Sequence, residues 1–240
     1  MTDDTAGADQ TTKADHTVKS FDADLDALRR KITVLSDLTS KELKEAVDAL
    51  VRQDSKLARR AIEENLAADA MHRDIEEAAI VTLARRQPVA DDLRFIIAVW
   101  ETAIELKHVT QLAKNIANSV IAYGDKKNVP RPISGLRRMA RTSSRRLQDV
   151  VNSLVAADAA KAQELWGSDY EIDEMYAALC RELLTYMMGD SAANASVVNL
   201  LICAKNIELI GDHIKNIADA VHYMVVGRRL ADNSFKTSAA

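Results

Sequence analysis

The sequence has few residues that punctuate a chain: among 240 residues there are 3 Pro, 7 Gly and 2 Cys, and aromatic residues make up 4%. So little Gly and Pro leaves almost no turn chemistry for hairpins or sheets. The two cysteines, Cys180 and Cys203, each fall inside a helical-looking stretch. Their spacing matches no zinc knot or redox pair, and they are expected as buried, small apolar residues. There is no run of about 18 apolar residues, so no membrane-spanning helix is expected. Met1 to Lys19 is polar and lacks the apolar core of a signal peptide, which predicts a disordered segment on a cytoplasmic protein. A formal net charge of −4 argues against a dedicated nucleic-acid binder, though not against a local basic patch. No Gly-rich phosphate cradle, nucleophile elbow or kinase signature is found, and no residue set is read as catalytic.

What is abundant is helix-forming. Hydrophobic residues supply 48% and charged residues 28%, and Phe21, Leu25, Leu28, Ile32 and Leu35 recur at three- and four-residue steps. After a small break expected at Thr39–Ser40, Leu43, Val47, Leu50 and Val51 extend the stripe. Asp54 reads as a cap, and a second helix is expected to about Arg86. In Gln87-Pro88-Val89-Ala90-Asp91-Asp92 the proline suits a first helical turn, and the acids suit the positive end of a helix dipole. A third helix follows to Tyr123–Gly124, and the proline-bearing stretch 126–132 reads as a linker. A fourth helix is then expected to about Ala157, a fifth from Asp158 to about Met188, a break at Gly189-Asp190-Ser191, and a sixth to about Gly227.

The second half repeats the first. Val47, Leu50, Val51 and Asp54 match Val151, Leu154, Val155 and Asp158 at an offset of 104. Lys114-Asn115-Ile116-Ala117 and Val120 match Lys215-Asn216-Ile217-Ala218 and Val221 at an offset of 101. The three-residue change falls in the turn at Gln87–Asp92, where a duplicated unit tolerates it. The predicted fold is all-α, a tandem duplication of an antiparallel three-helix bundle with six long helices. The expected segments are a disordered 1–19, a first repeat over 20–125, the linker 126–132, a second repeat over 133–227 and a flexible tail over 228–240.

Two carboxylate pairs carry chemistry. Asp169 and Asp173 lie one turn apart on the fifth helix, and Glu208 and Asp212 one turn apart on the sixth. Like charges at this spacing destabilise a helix by about 0.2–0.5 kcal/mol. Two such pairs facing each other call for a cation, and oxygen-only donors suit Mg²⁺, Mn²⁺, Ca²⁺ or ferric iron. Asp22/Asp26 and Glu101/Glu105 share the spacing, so a solvated face stays open as the plainer reading. Gly211, inside the sixth helix, permits close approach of a neighbour. His213 adjoins Asp212, and His213 and Asn216 are candidates to support a metal from behind its ligands. Glu105-Leu-Lys-His108 is a lone E-x-x-H unit; di-iron bundle enzymes need two, and His108 is expected as a surface histidine. Arg138, Arg141 and Arg145 form a basic stripe, expected as a solvated face with docking of an acidic partner as its alternative use.

A longer segment brings in a family. Asn206-Ile-Glu-Leu-Ile-Gly-Asp-His-Ile-Lys-Asn-Ile-Ala218 resembles the PhoU signature, Gln87-Pro-Val-Ala-Asp-Asp-Leu-Arg94 resembles that family's first-repeat loop, and Arg181-Glu-Leu-Leu-Thr-Tyr-Met-Met188 resembles its fifth helix. The resemblance spans about Phe21 to Gly227. It implies a non-catalytic regulator, cytoplasmic or peripheral to the membrane and often a homodimer. Such proteins couple the ATPase subunit of a phosphate ABC transporter to a phosphate-responsive sensor histidine kinase and repress the starvation response. It also implies metal binding by E/D-x-x-x-D motifs, with iron, zinc, manganese or magnesium as the ion. On this sequence the ligands become Asp169, Asp173, Glu208 and Asp212. The first repeat departs from that pattern, with Asn65, Asp69, Lys107 and Gln111 at the matching positions. Lys107 is expected to take the place of an ion there by pairing with Asp69. The alternatives are a metal-dependent helical-bundle enzyme and an accessory protein of a secondary phosphate carrier.

Overall fold

The computed structural model describes residues 6–123, 133–168, 170–189 and 194–230, with side chains from residue 20 onward. The expected linker, Gly124 and Asp190–Ser191 lie outside these residues. The described chain is helical without a strand. Its segments are α1 (Ala6–Arg52), α2 (Ser55–Arg86), α3 (Ala90–Tyr123), α4 (Ile133–Ala156), α5 (Ala159–Gly167), α6 (Tyr170–Gly189) and α7 (Asn194–Val226). No helix among the described residues is long and apolar enough to cross a membrane.

The apolar stripe builds the core as its period dictates. Leu25, Leu28, Ile32, Leu35, Leu43, Val47 and Leu50 of α1 are all buried, and each such side chain contributes about 1.5–3 kcal/mol on leaving water. Helix α1 packs on α2 and α3, and α7 packs on α4, α5 and α6. The halves also pack on each other, through α3 with α7 and α1 with α4, so one continuous core serves both.

Three expectations about element boundaries change. Helix α1 runs through Thr39–Ser40 without a break: the buried Thr39 hydroxyl donates back to the Leu35 carbonyl at 2.8 Å, while the buried Ser40 Oγ finds no partner among the described residues. Helix α1 also begins at Ala6, ahead of the apolar stripe; extending a packed helix needs only propagation, without a new nucleus. The expected fifth helix is two segments, α5 and α6, with Ser168 closing the first.

That interruption has a local signal, Gly167, a weak helix former at the end of α5, and a tertiary contact beside it. Arg146 of α4 is 7% exposed. A buried guanidinium must find acceptors, and this one donates to the Ser168 carbonyl at 2.6 Å and to Glu171 at 2.5 Å. The same carbonyl also accepts the Glu171 N–H at 3.3 Å, so its two lone pairs serve the start of α6 and the guanidinium together.

The turns at the helix ends follow their residues. Gln87 closes α2 in the left-handed region (φ 48°), which leaves Pro88 in the connector rather than in the first turn of α3. Asp91 and Asp92 occupy that first turn, as expected, and Arg94 donates to the Met224 carbonyl of α7 at 3.0 Å. Gly227 (φ 75°) ends α7, its N–H reaching the Tyr223 carbonyl at 2.8 Å. The expected flexible tail begins docked: Arg229 pairs with Glu101 and Asp219, and Leu230 is buried. Cys203 is buried as expected, whereas Cys180 is only half-buried.

Candidate functional site

Three of the four second-half acids can be placed; Asp169 lies outside the described residues. Asp173 is exposed on α6, Asp212 is exposed on α7, and Glu208 is half-buried on α7. A cation already stands beside one of them, Glu208. The Lys205 ammonium pairs with Glu208 at 2.5 Å and lies 5.6 Å from the centre of the Tyr176 ring of α6. Its pKa is raised, first by the Glu208 hydrogen bond, with the field of Asp212 adding in the same direction. The repulsion inferred from the paired spacing is therefore partly relieved by a side chain of the protein.

The corresponding first-half positions form a different environment. Asn65 is buried against Glu42 of α1, which is 4% exposed and has one carboxyl oxygen, Oε1, without a hydrogen-bond partner. Burial pushes the Glu42 carboxyl up to about 7; the Asn65 amide and Lys114 oppose the shift, while Asp69 adds to it. His72 of α2 is buried with neither ring nitrogen partnered. Burial lowers its pKa, Lys107 lowers it further, and Glu76 and Asp69 pull the other way. Lys107 is exposed, and among the described residues it forms no ion pair with Asp69; both act on His72 instead. Gln111 is exposed and donates to Asn115 at 3.2 Å. The basic stripe of α4 divides: Arg138, Arg141 and Arg145 are exposed as expected, whereas its neighbour Arg146 is the buried guanidinium described above.

The two residues expected to support Asp212 face elsewhere. His213 and Asn216 reach across the seam to Glu105 of α3. His213 Nδ1 lies 2.6 Å from Glu105 Oε2, and Asn216 Nδ2 donates to the same oxygen at 3.3 Å. The His108 ring stands 5.2 Å from that of His213, tilted by 41°. One ligand atom each from Glu105, His108 and His213 lies within 4.8 Å of the others, forming a candidate metal-binding group.

The electrostatics fit the placement. Burial alone would raise the Glu105 pKa, but the hydrogen bonds from His213 and Asn216, with the fields of both histidines, hold it below the usual range. One turn away, Glu101 takes both of its contacts from Arg229 Nη2, at 2.8 and 2.9 Å. Arg229 Nη1 and the Leu230 N–H close on Asp219. These residues border a hollow of about 270 Å³, lined by Glu101, Ile104, Glu105, Asn216, Asp219 and Arg229. The E-x-x-H unit was visible in sequence, but its third member comes from a helix whose crossing with α3 no local pattern encodes.

Comparison with known proteins gives a consistent result. The PhoU domain model matches residues 32–120 and 136–221. The chain is 40% identical over 213 residues to a phosphate-specific transport system accessory protein PhoU homolog of Rhizobium meliloti (strain 1021), covering 88% of this chain and 90% of the relative. It is 32% identical to the phosphate-specific transport system accessory protein PhoU of Escherichia coli (strain K12), covering 89% of this chain and 88% of that one. The crystal structure of PhoU from Pseudomonas aeruginosa superimposes with a TM-score of 0.80 at 33% identity, covering 87% of this chain and 100% of that chain. That of the phosphate transport system regulatory protein PhoU from Streptococcus pneumoniae gives 0.79 at 25% identity, covering 88% and 99%.

Proposed function

The chain belongs to the PhoU domain family, and on that premise we propose that it regulates phosphate uptake and represses the phosphate-starvation response. The observation that carries this reading is the match of the domain to both halves, together with near full-length relatives named as phosphate-transport accessory proteins. The proposed role is a scaffold without catalysis, working in the cytoplasm as a homodimer. Its partners are the transporter's ATPase subunit and a sensor histidine kinase. The exposed stripe of Arg138, Arg141 and Arg145 on α4 offers a surface for an acidic partner. The repeats run over 20–125 and 133–227 in this reading.

Asp169, Asp173, Glu208 and Asp212 are read as ligands of a divalent or trivalent metal ion, with iron, zinc, manganese and magnesium as the family's ions. A bound ion there would neutralise the acids and tie α6 to α7. In the structure Lys205 holds the position beside Glu208. Its side chain is about half exposed, at 49%, and must swing out before an ion enters.

The functional reading is tested in a bacterium deleted for its own PhoU and carrying a phosphate-starvation reporter. Expression of this chain is expected to restore repression in phosphate-rich medium. A reporter that stays active while the folded protein accumulates sinks the reading.

A further inference from the structure

We propose that Glu105, His108 and His213 form a zinc-class metal site that joins the two halves of the molecule, separate from the second-half acids and independent of the phosphate reading. One carboxylate with two imidazoles is a borderline set: it suits Zn²⁺ and neighbouring transition metals, whereas Mg²⁺ and Ca²⁺ prefer oxygen alone. Glu105 and His108 are three residues apart and project from one face of α3. His213 arrives from α7, so the group exists only because α3 and α7 pack along each other.

The ligand atoms stand within about 1.5 Å of the spacing around a bound ion. Ligands around a tetrahedral zinc with bonds near 2.05 Å stand about 3.3 Å apart. Here the three ligand atoms lie within 4.8 Å of one another. His108 is exposed, so a rotation of its side chain closes the remaining gap.

Two further observations point the same way. Asn216 donates to the Glu105 carboxylate at 3.3 Å, the kind of outer contact that orients a metal-bound carboxylate. Glu101 and Asp219, the other acids of the adjoining hollow, are both engaged by Arg229, which limits competition for an ion. A plain Glu105–His213 hydrogen bond accounts for two members of the group and gives no reason for His108 to stand beside His213. Three protein ligands at a half-open surface leave a fourth position for water. Filling the site would fasten α3 to α7, and therefore one half to the other.

The experiment uses untagged, full-length protein, stripped with a chelator and titrated with Zn²⁺, and with Co²⁺ as a spectroscopic probe. Wild type is expected to bind Zn²⁺, to give the intense visible bands of low-coordinate Co²⁺, and to unfold at a higher temperature with zinc. His108→Ala changes an exposed side chain and is expected to keep the helical circular dichroism while losing one equivalent of Zn²⁺ and the Co²⁺ bands. Asn216→Ala is expected to retain that equivalent with affinity weakened about ten- to hundred-fold. Asp212→Ala, which disables the second-half acids, is expected to leave the Co²⁺ bands intact. The proposal is overturned if wild type binds no zinc, or if His108→Ala binds it as wild type does. It is equally overturned if Asp212→Ala abolishes the Co²⁺ bands and His108→Ala does not, an outcome that assigns the metal to the acids.

Discussion

Gln53 and Ala157 stand 104 positions apart and share a left-handed φ, 52° and 53°. The bonds around them repeat as well. Asp54 N–H reaches the Ala49 carbonyl at 3.0 Å, and Asp158 N–H reaches Ser153 at 2.9 Å. Thr39 and Ser40 of α1, buried, match the buried Ser143 and Ser144 of α4. Between these matched features one position reverses its charge. Glu42 is buried in the first half, and at the same offset Arg146 is buried in the second. The duplicated unit keeps its turn and its frame, while its inner polar position answers to different partners. Glu42 faces Asn65 within an uninterrupted α2, whereas Arg146 takes a carbonyl at the α5–α6 break.

The comparison breaks most visibly at Arg146. Arg146→Ala removes a buried cation and leaves the Ser168 carbonyl without that donor. Because Glu171 is partly exposed and can be resolvated, the cost falls below the 3–5 kcal/mol of a fully buried pair. The expected loss is about 2–3 kcal/mol in urea unfolding. A loss under about 0.5 kcal/mol, the ordinary range for a surface change, contradicts the assigned role.

Glu42 is expected to act in the opposite direction. Burial raises its folded pKa to about 7, above the 4.5 of a carboxyl in water. A raised carboxyl contributes stability in full below its unfolded pKa and loses it as pH rises through the folded value. Wild type should therefore weaken between pH 4.5 and about 7 through this group. Facing it are Asn65, Asp69 and Glu64 from α2 and Lys114 from α3. Glu42→Gln keeps the shape without the ionisation, so at pH 8 it is expected to be more stable than wild type by about 3 kcal/mol. The advantage should shrink toward acid pH. Unfolding curves for the two proteins at several pH values check this, and parallel pH profiles would contradict it.

These two residues also mark where sequence reading stops. The helices and the duplication were legible, because a 3.6-residue stripe and a constant offset are local or simply periodic. The opposite charges at 42 and 146 were visible too, but not their burial, which depends on how α4 meets α5 and α6. The break at Ser168 did have a local signal, Gly167, which the unbroken reading of 158–188 passed over; the contact from Arg146, far away in sequence, was not legible. His213 was assigned to Asp212 because they are neighbours in the chain. Its ring instead meets Glu105, a consequence of the α3–α7 crossing. Arg229 and Leu230 lay past the last periodic residue, so nothing in the pattern marked them as docked. Residues whose partners lie on their own helix were read correctly more often than those whose partners lie on another.

The smallest expected effect tests the similarity of the halves rather than their difference. Asp54 accepts from the N–H groups of Lys56 and Leu57, at 2.9 and 3.0 Å, whereas Asp158 accepts from Lys161 alone, at 2.9 Å. Each caps a helix whose first N–H groups have no partner inside it. Replacing either by alanine is expected to cost about 1 kcal/mol. The second bond should make Asp54→Ala the costlier change, by about 0.5 kcal/mol, near the low end for a single net hydrogen bond. The helices being capped differ in length, 32 residues for α2 and 9 for α5. Loss of the Asp158 cap is therefore expected to release a short segment, read as faster amide exchange confined to residues 159–167. Loss of the Asp54 cap should lower the stability of α1 and α2 together, since their packed length ties them into one unit. If both variants release only a local segment, the first half is less cooperative than its unbroken second helix implies.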